Sequence, residues 1–203
     1  MAHSDDLMIA TRNEGKLREI SSLLADVPMR LRSFADFPRV QEAEETGATF
    51  AENATLKARV CSVQTKLLTL ADDSGLEVDA LGGRPGIYSA RYAGSHATDG
   101  ERIERLLTEI CDVPDEKRGA RFVCAVAVAD PATNLLQVFT GKCEGRIAYE
   151  ARGMGGFGYD PIFIPEGYRQ TFGELPAHVK EQISHRTRAL AAALSFLRER
   201  VMN

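Results

Sequence analysis

The chain has no long apolar run and no closely spaced pair of cysteines. A membrane-spanning helix needs about 20 consecutive apolar residues, so none is predicted. The four cysteines are scattered along the sequence, at Cys61, Cys111, Cys124 and Cys143. Because no two of them form a C-x-x-C pair, we expect free thiols in a reducing compartment rather than disulfides or a metal site. The polar start at 1–6 also lacks the apolar core of a secretion signal, which predicts a cytoplasmic protein.

Positive charge is also scarce. The chain has 25 lysines and arginines against 29 aspartates and glutamates, a formal net charge of −4 at pH 7. This balance gives no general attraction to nucleic acid or to an anionic membrane, so neither is an expected partner. Any polyanionic ligand must be held by particular lysines and arginines. With 203 residues, 44% of them hydrophobic, the chain is expected to form a single domain with two lobes over 1–203.

Apolar periodicity predicts strands and helices that alternate through the first half of the chain. In order, they are a strand at 7–10, a helix at 16–24, a strand at 29–34, a helix at 49–64 and a buried strand at 66–71. A helix at 99–110 follows. The almost wholly apolar segment 120–130 then predicts a central strand covered on both faces, with 135–145 as its hairpin partner. This order predicts an α/β fold with a mixed sheet.

The last predicted helix runs from about 184 to 201. Its apolar stripe consists of Leu190, Leu194, Leu197 and Val201. The stripe faces either the core of the fold or a partner subunit, and the sequence leaves both alternatives open.

Two adjacent carboxylates follow the buried strand, in the segment Ala71-Asp72-Asp73-Ser74-Gly75-Leu76. Ligands of α/β sheets usually bind at the carboxyl ends of strands, and oxygen ligands of this kind suit Mg²⁺, which shares its shell with substrate phosphates. The alternative is an Asx turn with two solvated acids. A second acidic cluster consists of Glu42, Glu44 and Glu45. It is either a solvated loop or the source of one further metal ligand beside Asp73.

The junction between the first strand and the first helix has the features of a phosphate-binding turn. It reads Thr11-Arg12-Asn13-Glu14-Gly15-Lys16. Free N–H groups and the helix dipole favour a bound phosphate there, Gly15 permits a close backbone approach, and Lys16 supplies charge. It is not a Walker A loop. The alternative is an ordinary strand-to-helix turn capped by Asn13.

A glycine-rich segment, Gly153-Met154-Gly155-Gly156-Phe157-Gly158-Tyr159-Asp160-Pro161, is the most unusual loop of the chain. Its glycines permit positive φ angles and tight backbone contact with a planar ligand. Phe157 and Tyr159 are candidates for stacking on a base, and Asp160 for accepting a hydrogen bond or fixing the loop. The alternative is a plain turn before a strand.

Further cations occur at Lys57 and around the start of the last helix, where Lys180 precedes Ser184-His185-Arg186. Lys57 shares a helix face with Asn53, although a lone helix lysine is usually solvated. A cation in a first helical turn is disfavoured by about 0.3–1 kcal/mol, so Arg186 fits better there if an anion or a base oxygen lies nearby. The alternative is a satisfied surface His–Arg pair.

In this order, the segments resemble the inosine triphosphate pyrophosphatase family, which acts on non-standard purine nucleoside triphosphates. The resemblance runs from Leu7 to about Leu197. Its motifs are Thr11-x-Asn13-x-x-Lys16-x-x-Glu19, Glu44-Glu45-Thr46-Gly47, Glu52-Asn53-Ala54-x-x-Lys57-Ala58, Ala71-Asp72-Asp73-Ser74-Gly75-Leu76, Gly86-Ile87-Tyr88-Ser89-Ala90-Arg91, Gly156-Phe157-Gly158-Tyr159-Asp160-Pro161 and Ser184-His185-Arg186. Each motif alone is weak, but seven in the order of the family are specific.

The resemblance implies a homodimer with an elongated, two-lobed α/β fold and the active site in the cleft between the lobes. It implies Mg²⁺-dependent hydrolysis of ITP, dITP, XTP and dXTP between the α- and β-phosphates, which gives a monophosphate and pyrophosphate and clears these nucleotides from the pool. Asp73 matches the general base. Asp73 and Glu44 are the favoured metal ligands, with Glu42 and Glu45 as alternatives.

The resemblance also implies a set of substrate contacts. The triphosphate loop is Thr11, Arg12, Asn13, Glu14, Gly15 and Lys16, and Ser74 is a further substrate contact. The base and phosphate contacts are Phe157, Gly158, Tyr159, Asp160, Lys180, His185 and Arg186. Lys57 is expected to offset the triphosphate charge together with Lys16 and Lys180. Relatives often have a small residue where this chain has Arg12, whose side chain would crowd the phosphate or add charge. Arg186 or loop N–H groups would donate to the oxygen at position 6 of the base and so reject adenine.

Two rival functions remain open at this stage. A pyrophosphatase for modified pyrimidine nucleotides would keep the acids and lysines and change the base pocket. A sensor that binds ITP without turnover is the alternative outside enzymology, although Asp72 and Asp73 argue against it because a pure binder has no use for adjacent acids beside a triphosphate.

Overall fold

The structure, a computed structural model, describes residues 6–201 and the side chains of 6–199. Residues 1–5 and the side chain of Val201, which the sequence-based predictions used, lie outside these ranges. The helices and strands are β1 (Asp6–Ile9), α1 (Glu14–Leu23), β2 (Arg30–Arg32), α2 (Phe50–Thr65), β3 (Leu68–Val78), α3 (Asp99–Glu109), β4 (Gly119–Asp130), β5 (Leu135–Ile147), β6 (Phe163–Pro165), α4 (Ala177–Ile183) and α5 (His185–Val201). Across 6–201, no helix combines the length and the apolar character that a bilayer crossing would need.

The strands form one mixed sheet in the order β2-β1-β3-β4-β5-β6. β1 runs parallel to both β2 and β3, whereas β6 pairs antiparallel with β5. β4 and β5 are neighbours joined by four residues, so their predicted pairing is confirmed. The predicted α/β class with a mixed sheet is confirmed as well.

The chain divides into two compact units. Within the described residues, the first unit comprises 6–73, 124–141 and 186–201, and the second comprises 74–123 and 142–185. The core of the first unit is built from side chains of β1, α1, β3, β4 and α5. The core of the second unit centres on three aromatic rings, with Phe163 lying 4.6 Å from Phe122 and 5.5 Å from Phe172 between ring centroids.

The apolar stripe of α5 belongs to the core of the first unit. Leu190 and Leu197 are fully buried there, and Leu194 packs against them from a partly buried position. Of the two alternatives left open by the sequence, these residues face the core of the fold. Burial of two complete leucine side chains contributes about 3–6 kcal/mol from the removal of apolar surface from water.

The main difference from the sequence-based prediction concerns β3. The sequence predicts that the strand ends at Ala71, but β3 continues to Val78 and carries Asp72 and Asp73 within it. The predicted strand end is wrong because cations compensate both acids inside the fold, and a buried strand can then contain them. The sequence also missed the separate helix α4, which holds Lys180 ahead of the last helix.

Candidate active site

The turn between β1 and α1 is organised around Asn13. Asn13 caps α1, and its side-chain oxygen accepts a hydrogen bond from the Lys16 backbone N–H at 3.0 Å. The buried Thr11 hydroxyl accepts in turn from the Asn13 N–H at 3.2 Å. Glu14 is exposed and Gly15 is buried in the first turn of the helix. The cap expected of an ordinary turn is present, and the remaining N–H groups of the helix terminus are still suited to an anion.

Arg12 turns toward the segment that follows β2. Its guanidinium lies 4.5 Å from the centre of the Phe34 ring and donates to the Val40 carbonyl at 3.3 Å. Its Nε is 3.7 Å from a carboxylate oxygen of Glu42. These contacts occupy the side chain with the protein itself, so the structure gives no indication that Arg12 crowds a phosphate at the turn.

Asp72 lies in a buried cluster of charged side chains. Lys16 Nζ lies 3.2 Å from Asp72 Oδ2, and Arg186 Nη2 lies 3.3 Å from the same oxygen. Arg186 also contacts the carboxylate of Glu19. Burial alone would raise the pKa of Asp72, but Lys16 and Arg186 outweigh it and hold the pKa well below its ordinary value. The lowered pKa favours the ionised form of Asp72, which contacts both cations.

Asp73 has a different environment from its neighbour. Asn53 Nδ2 donates to Asp73 Oδ2 at 3.1 Å, and Lys57 Nζ lies 3.3 Å from Asp73 Oδ1. Burial raises the pKa of Asp73 above its ordinary value, although Lys57 opposes the shift. A carboxyl group with a raised pKa is a better proton acceptor near neutral pH than an ordinary aspartate.

The strand geometry explains why two adjacent acids differ so much. Consecutive residues of a β-strand point to opposite faces of the sheet. Asp72 accordingly meets side chains of α1 and α5, whereas Asp73 meets side chains of α2. Environments that push two titratable groups apart are typical of sites with divided catalytic roles.

Glu45 is the acidic-loop residue that reaches this group. Lys57 Nζ lies 2.8 Å from Glu45 Oε1, so one ammonium group joins Glu45 and Asp73. Glu44, the favoured metal ligand in the sequence analysis, is exposed, and its carbonyl accepts from the Thr46 N–H at 3.1 Å. Glu42 instead pairs with Arg12. The structure brings Glu45 rather than Glu44 close to Asp73.

In the second unit, Phe157, Asp160 and Lys180 form a compact group. Asp160 Oδ2 accepts from the Phe157 N–H at 2.8 Å and from Lys180 Nζ at 2.5 Å. The Lys180 ammonium also lies 4.5 Å from the centre of the Phe157 ring. Asp160 is 1% exposed and Phe157 is half-buried. The ring is therefore fixed by a buried ion pair and remains partly accessible for stacking.

The glycines of this loop have conformations that other residues rarely adopt. Gly156 has a φ of 74°, and a Cβ there would collide with the Asp160 carboxylate. Tyr159, in contrast, is 4% exposed and its hydroxyl donates to the Ser89 carbonyl at 2.9 Å. The prediction that Tyr159 stacks on a base is not supported, because its ring is buried in the core of the second unit.

His185 and Arg186 are both buried, so a surface pair is the wrong interpretation of this motif. In the second unit, the His185 ring stacks on Phe122 with centroids 4.8 Å apart. In the first unit, Arg186 is held by Asp72 and Glu19, and these carboxylates supply the anions expected near it. The predicted donation from Arg186 to a base oxygen is not supported, because its guanidinium is engaged with carboxylates. Ser74 is half-buried on β3, directly after Asp73.

Sequence reasoning assigned no role to Asn53, and it treated Asp72 only as part of the acid pair with Asp73. Asn53 is fully buried, and its Oδ1 also accepts from the Gly47 N–H at 2.8 Å, so it links the acidic loop to Asp73. The spacing of Asn53 and Lys57, four residues apart on one helix face, is the pattern that could have identified it. Asp72 was indistinguishable from Asp73 until the two faces of β3 were known.

Comparison with known proteins supports the resemblance drawn from the motifs. A family model described as the Ham1 family matches residues 7–196. A dITP/XTP pyrophosphatase of Bacillus cereus is 48% identical over 94% of this chain and 93% of its own length. The dITP/XTP pyrophosphatase of Geobacter sulfurreducens is 50% identical over 91% of this chain and 92% of its own length.

Solved structures give the same result for the fold. The structure of a HAM1 protein from Coxiella burnetii matches with a TM-score of 0.87 and 42% identity, covering 96% of this chain and 98% of that one. The Ham1 protein of Staphylococcus aureus matches with a TM-score of 0.86 and 38% identity, covering 96% of this chain and 99% of the other. Sequence and fold therefore point to one family.

Proposed function

Since the chain belongs to the Ham1 family, we propose that it hydrolyses dITP, ITP, XTP and dXTP to the monophosphate and pyrophosphate. The names of its relatives, dITP/XTP pyrophosphatases at 48–50% identity, support the substrate class. The observation within this chain that carries the proposal is the pair of adjacent acids on β3, with Asp72 contacting Lys16 and Arg186 and Asp73 contacting Asn53 and Lys57. The reaction removes deaminated purines from the nucleotide pool.

Asp73 is the proposed general base. Its carboxylate is oriented by the Asn53 amide and by Lys57, so it can accept a proton from a water that attacks phosphorus in line. Positioning contributes most of the rate, because aspartate is a weak base.

The triphosphate is proposed to bind at the turn between β1 and α1. A nucleoside triphosphate brings about four negative charges, which require local cations in a chain of net charge −4. Lys16, Lys57 and Arg186 are cations of the first unit that lie next to the acid pair, and Lys16 and Lys57 are the ones proposed for the triphosphate. The capped start of α1, from Thr11 to Lys16, adds backbone N–H groups and the positive end of the helix dipole.

The donor atoms fit Mg²⁺. Asp73 and Glu45 offer carboxylate oxygens around one ammonium group, and Mg²⁺ in such sites uses one or two carboxylates with phosphates and water. We propose Asp73 and Glu45 as the ligands in place of Glu44. When bound, Mg²⁺ neutralises phosphate charge and favours attack at phosphorus.

The second unit supplies the proposed base contacts. Phe157 is the proposed stacking surface. Asp160 accepts from the Phe157 N–H, and Lys180 pairs with Asp160 and lies over the Phe157 ring. Selection against adenine requires donors toward the oxygen at position 6, and the loop backbone is the remaining candidate because Arg186 is engaged by Asp72 and Glu19. His185 and Tyr159 are proposed to act from within the core, His185 by stacking on Phe122 and Tyr159 by its hydrogen bond to the Ser89 carbonyl.

Pyrophosphate release from dITP, XTP, dGTP and dATP, each with Mg²⁺ and with EDTA, tests the function. We expect Mg²⁺-dependent release from dITP and XTP and little from dGTP and dATP. Release of single phosphates, equal rates on all four nucleotides, or tight binding of dITP without turnover would contradict the proposal. The same assay with modified pyrimidine triphosphates tests the rival function, and preferential turnover of these would favour the pyrimidine pyrophosphatase instead.

We also propose that the protein is a homodimer located in the cytoplasm, as the family resemblance implies. Light scattering coupled to size exclusion should give twice the mass of 22.2 kDa at micromolar concentration, and a monomer mass would contradict the dimer.

A further inference from the structure

The base loop, residues 153–158, is held by a few hydrogen bonds and by the close backbone approach of Gly153 and Gly155 to Gly173, with little apolar side-chain burial. Residues 153–156 are exposed, and the Met154 side chain is 99% exposed. An open pocket of about 660 Å³ is lined by residues of the loop and of α3, with Leu107 and Met154 among them. Few buried apolar contacts are typical of a segment with low local stability. Particular polar contacts must therefore fix the position of the loop.

One of these contacts comes from α3. The Gly158 backbone N–H donates to Asp99 Oδ2 at 2.7 Å, across 59 positions in the sequence. Gly158 has a φ of 62°, a conformation that glycine adopts readily, and it donates the hydrogen bond to Asp99 from that conformation. A hydrogen bond to a carboxylate is about twice as strong as one between neutral groups.

The other oxygen of Asp99 fixes the carboxylate itself. Asp99 Oδ1 contacts the Arg102 guanidinium. Arg102 also donates to the Ala90 carbonyl at 2.7 Å and to the Ala97 carbonyl at 2.8 Å. Arg102 thus anchors Asp99 to the 3-10 helix Gly86–Arg91 and to the start of α3, and Asp99 presents its second oxygen to the loop. The Asp99 carboxylate therefore connects Arg102, through Oδ1, to the Gly158 N–H of the loop, through Oδ2.

We propose that Asp99 is a positioning residue that determines base selectivity, because it holds the Gly158 N–H and with it the Phe157 ring in place. This inference rests on the proposed function, since it assumes that Phe157 meets the base. Asp99 is not among the proposed phosphate or base contacts, and its two carboxylate oxygens contact Gly158 and Arg102. It acts through the loop, so its removal affects substrate binding and base choice more than the chemical step.

The matched control is Glu101, which stabilises the same helix end without touching the loop. Glu101 and Thr98 form the capping box of α3, with Thr98 N–H donating to Glu101 Oε2 at 2.7 Å. Glu101→Ala and Asp99→Ala both weaken the first turn of α3. Asp99→Asn keeps an acceptor for Gly158 and weakens the pairing with Arg102. Thermal melts check that all three variants are folded.

The first measurement is hydrogen exchange of the peptide 153–161 without nucleotide, which does not depend on the proposed function. Asp99→Ala should exchange roughly tenfold faster at Gly158, as expected for the loss of a charged hydrogen bond, and Glu101→Ala should match the wild type. Unchanged exchange in Asp99→Ala, or equal acceleration in both variants, would overturn the link.

The second measurement is steady-state hydrolysis of dITP and dATP. Asp99→Ala should raise KM for dITP roughly tenfold, change kcat less than about threefold, and lower the preference for dITP over dATP. Asp99→Asn should recover part of this loss, and Glu101→Ala should show none. A fall in kcat at unchanged KM and unchanged base preference would overturn the positioning role. If the wild type released no pyrophosphate, the proposed function would fail and the exchange data alone would decide the link.

Discussion

Asp72 and Asp73 are neighbours on β3, and the fold displaces the pKa values of their carboxyl groups in opposite directions. Burial raises the pKa of both carboxyl groups. At Asp72 the nearby cations outweigh burial, whereas at Asp73 burial outweighs the nearby cations. Because the two side chains point to opposite faces of the strand, Asp72 contacts Lys16 and Arg186, whereas Asp73, the proposed general base, contacts Asn53 and Lys57. This division gives the two acids separately testable roles.

Asp73→Asn should remove most turnover and leave the fold intact. Loss of a general base typically costs about 10²–10⁴-fold in rate, and the amide keeps the shape of the side chain. Asp130→Asn is the matched control, since Asp130 is equally buried but its carboxylate holds the turn after β4. The measurement is pyrophosphate release from dITP by both variants. Full activity of Asp73→Asn would disprove the assignment.

Glu45→Gln should raise the Mg²⁺ concentration needed for half-maximal activity, whereas Glu44→Gln should not. Glu45 shares Lys57 with Asp73, and Glu44 is exposed. Removal of one carboxylate charge lowers the affinity of a hard-cation site. A Mg²⁺ titration of pyrophosphate release compares the two variants. A shift for Glu44→Gln alone would restore the ligand first favoured from the sequence.

Arg186→Ala should destabilise the protein by about 3–5 kcal/mol, because it leaves the buried Asp72 carboxylate with one of its cations removed. Arg188→Ala, an exposed arginine two residues along the same helix, should change stability little. Urea unfolding of both variants gives the difference. A stable Arg186→Ala variant with altered preference between dITP and dATP would instead support direct contact with the base.

Gly156→Ala should disrupt the base loop. The added methyl group would collide with the Asp160 carboxylate at a backbone φ of 74°. Gly167→Ala is the control, because Gly167 has a φ of 85° and open space around the position of its Cβ. We expect roughly tenfold higher KM for dITP in Gly156→Ala and a wild-type KM in Gly167→Ala. Equal effects would show that backbone strain alone, rather than the collision, is responsible.

Stability should fall as the pH rises from about 10 to about 12, and Tyr92→Phe should reduce that fall. Burial raises the pKa of Tyr92 to about 12, with a further contribution from Glu109, which accepts from the Tyr92 hydroxyl at 2.6 Å. A pKa raised in the folded state gives stability that is present below the unfolded value of 10.0 and lost above it. Urea unfolding at pH 9 to 12 measures this. Parallel pH profiles for the two proteins would contradict it.

Much of the site was predictable where motifs follow one another in sequence. Asn13 and Lys16 occur in one turn, and the turn forms where the apolar periodicity places it. The separate roles of Asp72 and Asp73 were not predictable, because they depend on α1, α2 and α5 contacting β3 from opposite sides. The same holds for Arg186, whose carboxylate partners lie 114 and 167 positions away in the sequence.

The sequence by itself determined the α/β class, the mixed sheet, the family and the set of motifs, because periodicity and motif order are local properties of the chain. Only the tertiary structure decided which glutamate approaches Asp73, that Tyr159 and Arg186 are buried, and that Asp99 holds Gly158. These are contacts between distant segments, and burial, charge compensation and strand faces set them once the chain has folded.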